Sequence, residues 1–260
     1  MTPIVRIPFS YRFGKVWRRN LVTFMRTWKV NFIPPFLEPL LYLLALGLGV
    51  GSFITQVEGV SYPRFIAPAL ISIAVMNAAF FECTYSSYVR MYYQKTFDAM
   101  ITTPLSIEDV ILGELCWGAT RSFIYALLMF PVLLAFGVID LPSSFLIFPF
   151  SLLAGFLFAS LGMCFTAVSP GIDTLNYPSF LLITPMFLFS GTFFPLNLLP
   201  VPVQIVAYGL LPLTHVVAVM RGFCLGILSL DLLLSITWLA IASTLLCPVA
   251  IHLMKKRLII

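Results

Sequence analysis

Residues 90–117, RMYYQKTFDAMITTPLSIEDVILGELCW, separate two long apolar blocks of this 260-residue chain. Charged residues make up only 10% of the chain, yet six of them fall here: Arg90, Lys95, Asp98, Glu108, Asp109 and Glu114. A long polar segment between apolar blocks needs something to bind on its own side of a membrane. We therefore interpret residues 90–118 as a docking loop, and the apolar remainder as a translocation path that the loop operates.

The overall composition excludes an ordinary soluble domain. The chain is 60% hydrophobic with a mean hydropathy of +1.03, whereas soluble domains are roughly 45–50% apolar. The five cysteines are scattered and form no CxxC pair, so we predict neither a disulfide framework nor a metal site. The net charge of +5 is interpreted as a determinant of membrane topology and not as a nucleic-acid surface.

The apolar runs predict an all-α integral membrane protein with six transmembrane helices, each about 20 residues long. Their approximate bounds are 33–54, 65–89, 119–139, 145–168, 179–194 and 231–254. Residues 195–230 are also apolar, but prolines and glycines divide them into pieces too short to cross. This segment is predicted to form a re-entrant helical hairpin before the last span.

The distribution of basic residues favours six crossings over seven. With six, 13 of the 15 Lys and Arg residues lie in the cytoplasm or at its border, and only Arg64 and Arg221 lie outside. A seventh crossing would place the basic run 255–257 outside, against the positive-inside bias. We therefore expect a multi-pass protein of a bacterial inner membrane with both termini in the cytoplasm.

The first segment, residues 1–31, carries seven basic residues and no acid. Its apolar residues recur at steps of three and four: Phe13, Val16, Trp17, Leu21, Phe24, Met25 and Trp28. This spacing predicts an amphipathic helix in the headgroup layer, with Trp17, Arg18, Arg19 and Trp28 at the interface. A plain positive-inside anchor is a compatible alternative. Residues 32–260 are expected to form one transmembrane domain.

Motifs for catalysis or nucleotide binding are absent from the sequence, including GxxxxGK[ST], HExxH and GxSxG. Two acids, Glu38 and Glu82, fall inside predicted spans, where an ionisable side chain is costly and points to a function. Arg121 or Lys29 could reach either of them. Two interpretations stay open: a latch between helices, or a polar lining at the inner entrance that receives an amphiphile's head group. A proton relay is a weaker third, because no chain of acids or histidines continues outward.

Within the central segment, residues before Pro104 are predicted to form a short amphipathic helix. Ser106 is predicted to cap the helix that follows, with Asp109 at the reciprocal position of a capping box. The unit formed in this way is a short helix, a proline break and a capped helix. Such a unit can transmit movement from a bound partner to the membrane helices.

The sequence resembles the ABC-2 type exporter permeases over nearly its whole length. The segments that carry this resemblance are TFDAMITTPLSIEDVILGE (96–114) and FLFSGTFFPLNLLPVPVQIVAYGLLPLTHVVAVMRG (187–222). Four further segments make it most similar to the NodJ branch, the permeases of nodulation-factor export. They are VWRRN (16–20), EPLLYLLALGLG (38–49), VEGVSY (57–62) and GELCWGATRS (113–122).

This resemblance implies a homodimeric permease that works with two copies of a separate cytoplasmic ABC ATPase, which would hold the ATP and Mg²⁺. Residues 94–106 would be the coupling helix, with Lys95, Thr96, Phe97, Asp98, Met100, Thr103, Pro104, Ser106 and Glu108 as coupling residues. The outer re-entrant gate would contain Gly191, Pro195, Pro200, Pro212, His215 and Arg221. The N-terminal arm would gate lateral entry from the inner leaflet.

The function that we expect is export of an amphiphilic substrate, such as a lipid, a lipid-linked oligosaccharide or an acylated oligosaccharide. The chain itself would be no enzyme and would bind no cofactor. Two alternatives from other classes are a membrane-embedded lipid-modifying enzyme and an ATP-independent channel or scramblase. The first lacks an evident nucleophile, base or metal set, and the second leaves the central segment without a purpose.

Overall fold

A computed structural model describes residues 11–29, 33, 37, 40–54 and 56–259 of the chain. They form a helical bundle and one short β-hairpin. The elements are α1 Phe13–Arg26, α2 Leu40–Ser52, β1 Gln56–Val57, β2 Val60–Ser61, α3 Tyr62–Tyr93, α4 Thr96–Ile101, α5 Ile107–Ala135, α6 Ser143–Val168, α7 176–189, α8 Val201–Leu210, α9 Pro212–Leu225 and α10 Leu230–Leu258. The two strands pair antiparallel, with Gln56 opposite Ser61.

Four helices of the described chain, α3, α5, α6 and α10, are long and apolar enough to cross a membrane. This confirms the predicted class, an all-α membrane protein. At about 1.5 Å per residue, α2 and α7 each span only about 20 Å of a hydrocarbon core about 30 Å thick. A total of six membrane crossings therefore remains a prediction.

The central polar segment is shorter than the sequence suggested. Helix α3 continues to Tyr93 and α5 begins at Ile107, so only residues 94–106, which include α4, lie between the two long helices. The predicted capping box is present, because Asp109 N donates to Ser106 Oγ at 3.1 Å and Ser106 N donates to Asp109 Oδ2 at 3.1 Å. The predicted loop bounds of 90–118 were wrong because the polar residues at both ends lie in helices.

Small residues allow α3, α5 and α6 to pack with their backbones close together. A Cβ atom at Gly155 would lie 2.5 Å from the Cβ of Ser122, and one at Gly162 would lie 2.7 Å from the carbonyl oxygen of Phe80. Close backbone approach at small residues is typical of helix contacts in membranes. These three helices form the core of the bundle.

One end of the bundle, which we call the basic end, gathers three segments that are distant in sequence. Arg12 Nη1 donates to the carbonyl oxygen of Pro104 at 2.5 Å, and Lys255 Nζ lies 2.6 Å from Glu108 Oε1. Arg257 Nη1 donates to the carbonyl oxygen of Ser169 at 2.6 Å, just beyond the end of α6. The arm, the α4 segment and the terminal basic run thus share one end, as the six-span prediction requires.

The opposite end, which we call the hairpin end, holds the β-hairpin and the helix pair α8–α9. Arg64 and Asp140 form an ion pair there, and Asp140 N donates to the carbonyl oxygen of Cys224 at 2.7 Å. Helices α8 and α9 meet at an angle of 87°, and neither is long enough to cross alone. The two short helices predicted within 195–230 are therefore present, while their re-entrant placement stays a prediction.

Helix α1 packs along α5 through a face that contains Val16, Asn20 and Phe24. Trp17 Nε1 donates to Thr120 Oγ1 at 2.9 Å. At Gly113 of α5, a Cβ atom would lie only 2.6 Å from the Cβ of Val16. The predicted lipid-facing stripe is therefore divided, because part of it meets α5.

The remaining arm residues face outward. Met25 and Trp28 are 59% and 48% exposed, and Arg18 is exposed, while Arg19 is half-buried. The exposed surfaces of Arg18 and Trp28 are suited to meet lipid headgroups, and the interface role of both residues remains a prediction.

Candidate functional site

Arg90 is the centre of a buried polar network between α1, α3 and α5. Its Nη1 lies 2.7 Å from Glu82 Oε1, and its Nη2 lies 2.5 Å from Glu114 Oε2. Glu114 is completely buried and Glu82 is 6% exposed. Buried charges persist only when they are paired and hydrogen-bonded, so these three residues depend on one another.

Four further side chains complete what we call the Arg90 network. Asn20 Nδ2 donates to Glu114 Oε1 at 2.8 Å, and Ser87 Oγ donates to Glu114 Oε2 at 3.0 Å. Trp117 Nε1 donates to Glu82 Oε1 at 3.0 Å. Arg121 Nη1 lies 3.8 Å from Glu82 Oε2. Two acids face two arginines, so the network is formally neutral.

The backbone of α3 is widened where it carries this network. The turns Glu82–Ser86 and Val89–Tyr93 are π-helical. Such turns add a residue to the local repeat, change the direction of the side chains that follow, and are frequent at functional sites. In α3 they bring Glu82 and Arg90, eight positions apart, within direct contact.

A cavity of about 380 Å³ opens beside the network, between α1 on one side and α3 and α5 on the other. Glu82, Arg90 and Arg121 line it, together with Arg19 of α1. Its volume lies near the lower limit of about 300–1,000 Å³ for small-molecule pockets. It can hold a polar head group but not a whole oligosaccharide.

The sequence predicted only part of this site. It placed Glu82 and Arg121 together, and the structure confirms that pairing; Glu38 lies outside the described residues. It missed Asn20 and Trp117, and it assigned Arg90 and Glu114 to the docking loop. Helical spacing would have indicated Glu114, because it precedes Arg121 by two turns of the same helix.

The predicted coupling residues divide into two groups around α4. Phe97 is fully buried and Met100 is nearly so, which means that both anchor α4 to its own chain; their role in coupling stays a prediction. Lys95 and Asp98, with side chains 67% and 60% exposed, face outward. The other exposed residues of this segment include Tyr92, Tyr93, Thr102, Thr103 and Pro104. Thr96, Ser106 and Glu108 are partly buried.

The residues predicted for the outer gate lie at the hairpin end. His215 Nε2 lies 2.9 Å from the carbonyl oxygen of Tyr208, and its ring stacks on Trp238 at a centroid distance of 4.5 Å. Gly191 has a φ of +69° and its carbonyl oxygen accepts a hydrogen bond from Arg221. Pro195 and Pro200 flank a single 3₁₀ turn, and Pro212 begins α9. His215 thus connects α8, α9 and α10.

A polytopic helical bundle with a neutral network in its interior and an exposed helix at one end has the organisation of a transport permease. Residues 11–225 match the family model described as ABC-2 type transporter. The chain belongs to the ABC-2 type transporter family, which confirms the resemblance found in the sequence.

Named relatives agree with this assignment. The chain is 37% identical to nodulation protein J of Rhizobium leguminosarum bv. trifolii over 211 residues, which cover 81% of this chain and 80% of that protein. It is 33% identical to nodulation protein J of Neorhizobium galegae over 243 residues, covering 94% and 92%. It is 26% identical to the inner membrane transport permease YadH of Escherichia coli K12 over 216 residues, covering 83% and 82%. No solved structure matches the chain significantly. The chain is a multi-pass transport permease of the inner membrane.

Proposed function

We propose that this permease exports an amphiphile, such as a lipid, a lipid-linked oligosaccharide or an acylated oligosaccharide. In this proposal two copies of the chain work with two copies of a cytoplasmic ABC ATPase, which supplies ATP and Mg²⁺. The basic end faces the cytoplasm, and the α8–α9 pair is the re-entrant gate on the outer side. The resemblance to the permeases of nodulation-factor export makes an acylated oligosaccharide one candidate substrate.

The observation that carries the proposal is the construction of α4. Phe97 and Met100 fix one face of this short helix to its own chain, while Lys95 and Asp98 stay exposed on the other. Arg12 holds the carbonyl group of Pro104, and the Ser106 capping box fixes the start of α5. An exposed helix held this firmly is suited to dock on a partner and transmit its movement.

A push on α4 would reach the Arg90 network directly, because α4 joins the two helices that carry most of it. Glu82 and Arg90 lie on α3, while Glu114 and Arg121 lie on α5. A tilt of α3 and α5 as one body would change the distance between Glu114 on α5 and Asn20 on α1. We infer that ATP hydrolysis is coupled to transport through this connection.

The cavity beside the network would receive the polar head of the amphiphile. It lies between α1, the proposed interface helix, and the core, where a lipid-like molecule could enter sideways from the inner leaflet. Arg19 adds one positive group to this lining beyond the formally neutral network. An anionic or hydrogen-bonding head group matches such a lining. This combines the two interpretations left open for Glu82, since a latch and an entrance share the same residues.

The docking role can be tested by charge reversal on the exposed face of α4. Asp98→Lys is expected to reduce co-purification of the ATPase and ATP-dependent export at least several-fold, because it reverses a charge at the proposed contact. Asp231→Lys is the matched control, since Asp231 is an exposed acid near the hairpin end. It should leave both measurements within about twofold of the wild type.

Membrane insertion of both variants would be followed by their quantity in washed membranes. Unchanged ATPase co-purification with the folded Asp98→Lys variant would exclude α4 as the docking helix. An equal loss with Asp231→Lys would show that the effect is not local to α4.

A further inference from the structure

A second cavity, of about 340 Å³, lies at the hairpin end. The β-hairpin, the start of α3, the segment after α7 and the α8–α9 pair all contribute to its walls. Phe65 on its wall and Tyr93 at the far end of α3 are separated by about 40 Å at 1.5 Å per residue. This cavity is therefore distinct from the one beside the Arg90 network.

Arg221 is the only basic side chain that lines this cavity among the described residues. Its guanidinium carbon lies 3.9 Å from the ring centroid of Phe65, and its Nη2 donates to the carbonyl oxygen of Gly191 at 2.9 Å. Its Nε is buried and has no hydrogen-bond partner within the described part of the chain. No carboxylate of the described residues forms an ion pair with it. A largely buried cation without an ion-pair contact is unfavourable.

Two hydroxyl groups in the same cavity also lack partners. Ser190 and Thr214 are each 1% exposed, and neither side-chain oxygen makes a hydrogen bond to another described residue. Seven buried side-chain polar atoms of the described chain lack a hydrogen-bond partner, and three of them belong to residues that line this one cavity. Native proteins contain few such atoms, and each needs an explanation.

The three groups share one chemical property, which is that each can donate a hydrogen bond. A guanidinium edge with an adjacent free N–H matches the oxygens of a phosphate, sulfate or carboxylate group. Glu58 also lines the cavity, but its side chain is exposed to solvent, so its charge is screened there. The buried part of the cavity is therefore positive and rich in donors.

We propose that this cavity is an oxyanion-binding site, and that Arg221, Ser190 and Thr214 hold a phosphate group. The volume of the cavity exceeds what a phosphate ion needs, which favours a phosphate carried by a lipid head group over the free ion. The site is independent of the ATPase partner and of the direction of transport. It is defined by binding alone.

The test uses the purified full chain in dodecyl maltoside, a detergent without phosphate. The unfolding temperature is measured against inorganic phosphate in one series and against short-chain phosphatidylglycerol in another, with chloride at matched ionic strength as reference. We expect a saturable rise with phosphatidylglycerol. A rise with both probes assigns the site to phosphate from either source, and a rise with inorganic phosphate alone assigns it to the free ion.

Arg221→Gln is expected to weaken this binding at least tenfold, because it removes the only cation of the site. Thr214→Val provides a second variant that keeps the fold. It removes a buried hydroxyl group without a partner, so the ligand-free protein should unfold at the same temperature as the wild type or higher, while its affinity for the probe falls. A purely structural role of Thr214 would lower the ligand-free unfolding temperature instead and overturn its assignment to the site.

Arg64→Gln is the matched control. Arg64 lies at the same end of the bundle but pairs with Asp140, so its loss should change the affinity less than twofold. Equal weakening by Arg64→Gln would mean that the binding is non-specific charge attraction. Absence of saturable binding of both probes to the folded wild type would overturn the proposal outright.

Discussion

Replacing Arg90 with glutamine would remove the cation shared by Glu82 and Glu114. Glu82 would keep Arg121 at 3.8 Å and the hydrogen bond from Trp117. Glu114 would keep only the neutral donors Asn20 and Ser87 among its described contacts. Because Glu114 is completely buried, water cannot replace the lost charge.

The expected loss in the free energy of unfolding follows from these contacts. Removing one partner of a buried ion pair destabilises a protein by about 3–5 kcal/mol. The two short contacts of Arg90 agree with this range, since a hydrogen bond to a charged group contributes about 1.5–3 kcal/mol. For a chain of this size the midpoint of thermal unfolding should fall by roughly 6–20 °C. Glu114→Gln removes the stranded charge, so the double variant should be less destabilised than the two single effects predict together.

The assay is thermal unfolding of the purified chain in mild detergent, followed by the fluorescence of its tryptophans, one of which is Trp117 in the network. Arg64→Gln breaks an ion pair whose side chains are 34% and 48% exposed, and it should cost less than about 1 kcal/mol. An Arg90→Gln variant no less stable than this control would refute the view that Arg90 neutralises two buried acids. Additive effects in the double variant would refute the coupling between Arg90 and Glu114.

Three further variants test other contacts of the bundle. Ser106→Ala should lower the free energy of unfolding by about 1 kcal/mol, measured by chemical denaturation, because it removes the cap of α5. Gly113→Ala should cost about 1–3 kcal/mol and speed proteolysis of α1, since its methyl group would overlap Val16. Arg257→Gln should lower the thermal midpoint more than Lys255→Met does, because Arg257 holds backbone carbonyls at the end of α6 while Lys255 is 40% exposed.

The sequence predicted the class of fold well, because long apolar runs and proline positions report directly on helices in a membrane. The capping box at Ser106 was predictable because all of its atoms lie within four consecutive residues. The bounds of the central segment were not. Polar residues favour a loop when only the sequence is considered, whereas the first turns of α5 carry Asp109 and Glu114 on a buried face.

The candidate site was predictable only in part because its partners come from three helices. Glu82 stood out as an acid within an apolar run, and Arg121 as a base within reach. Asn20 lies 94 positions from Glu114, and no local pattern connects two such residues. The unpaired atoms around Arg221 could not be predicted either, because the absence of a hydrogen bond has no sequence pattern.

The close contacts among α3, α5 and α6 have a mechanical consequence. Where Gly155 and Gly162 allow backbones to touch, neighbouring helices cannot slide without steric overlap, so the three helices resist bending as a stiff block. A stiff group of helices responds to a force by rotating as one body, whereas a loosely packed group would bend. A force applied at α4 would then tilt the block as a lever, and the displacement would be largest at the far end, where α8 and α9 lie.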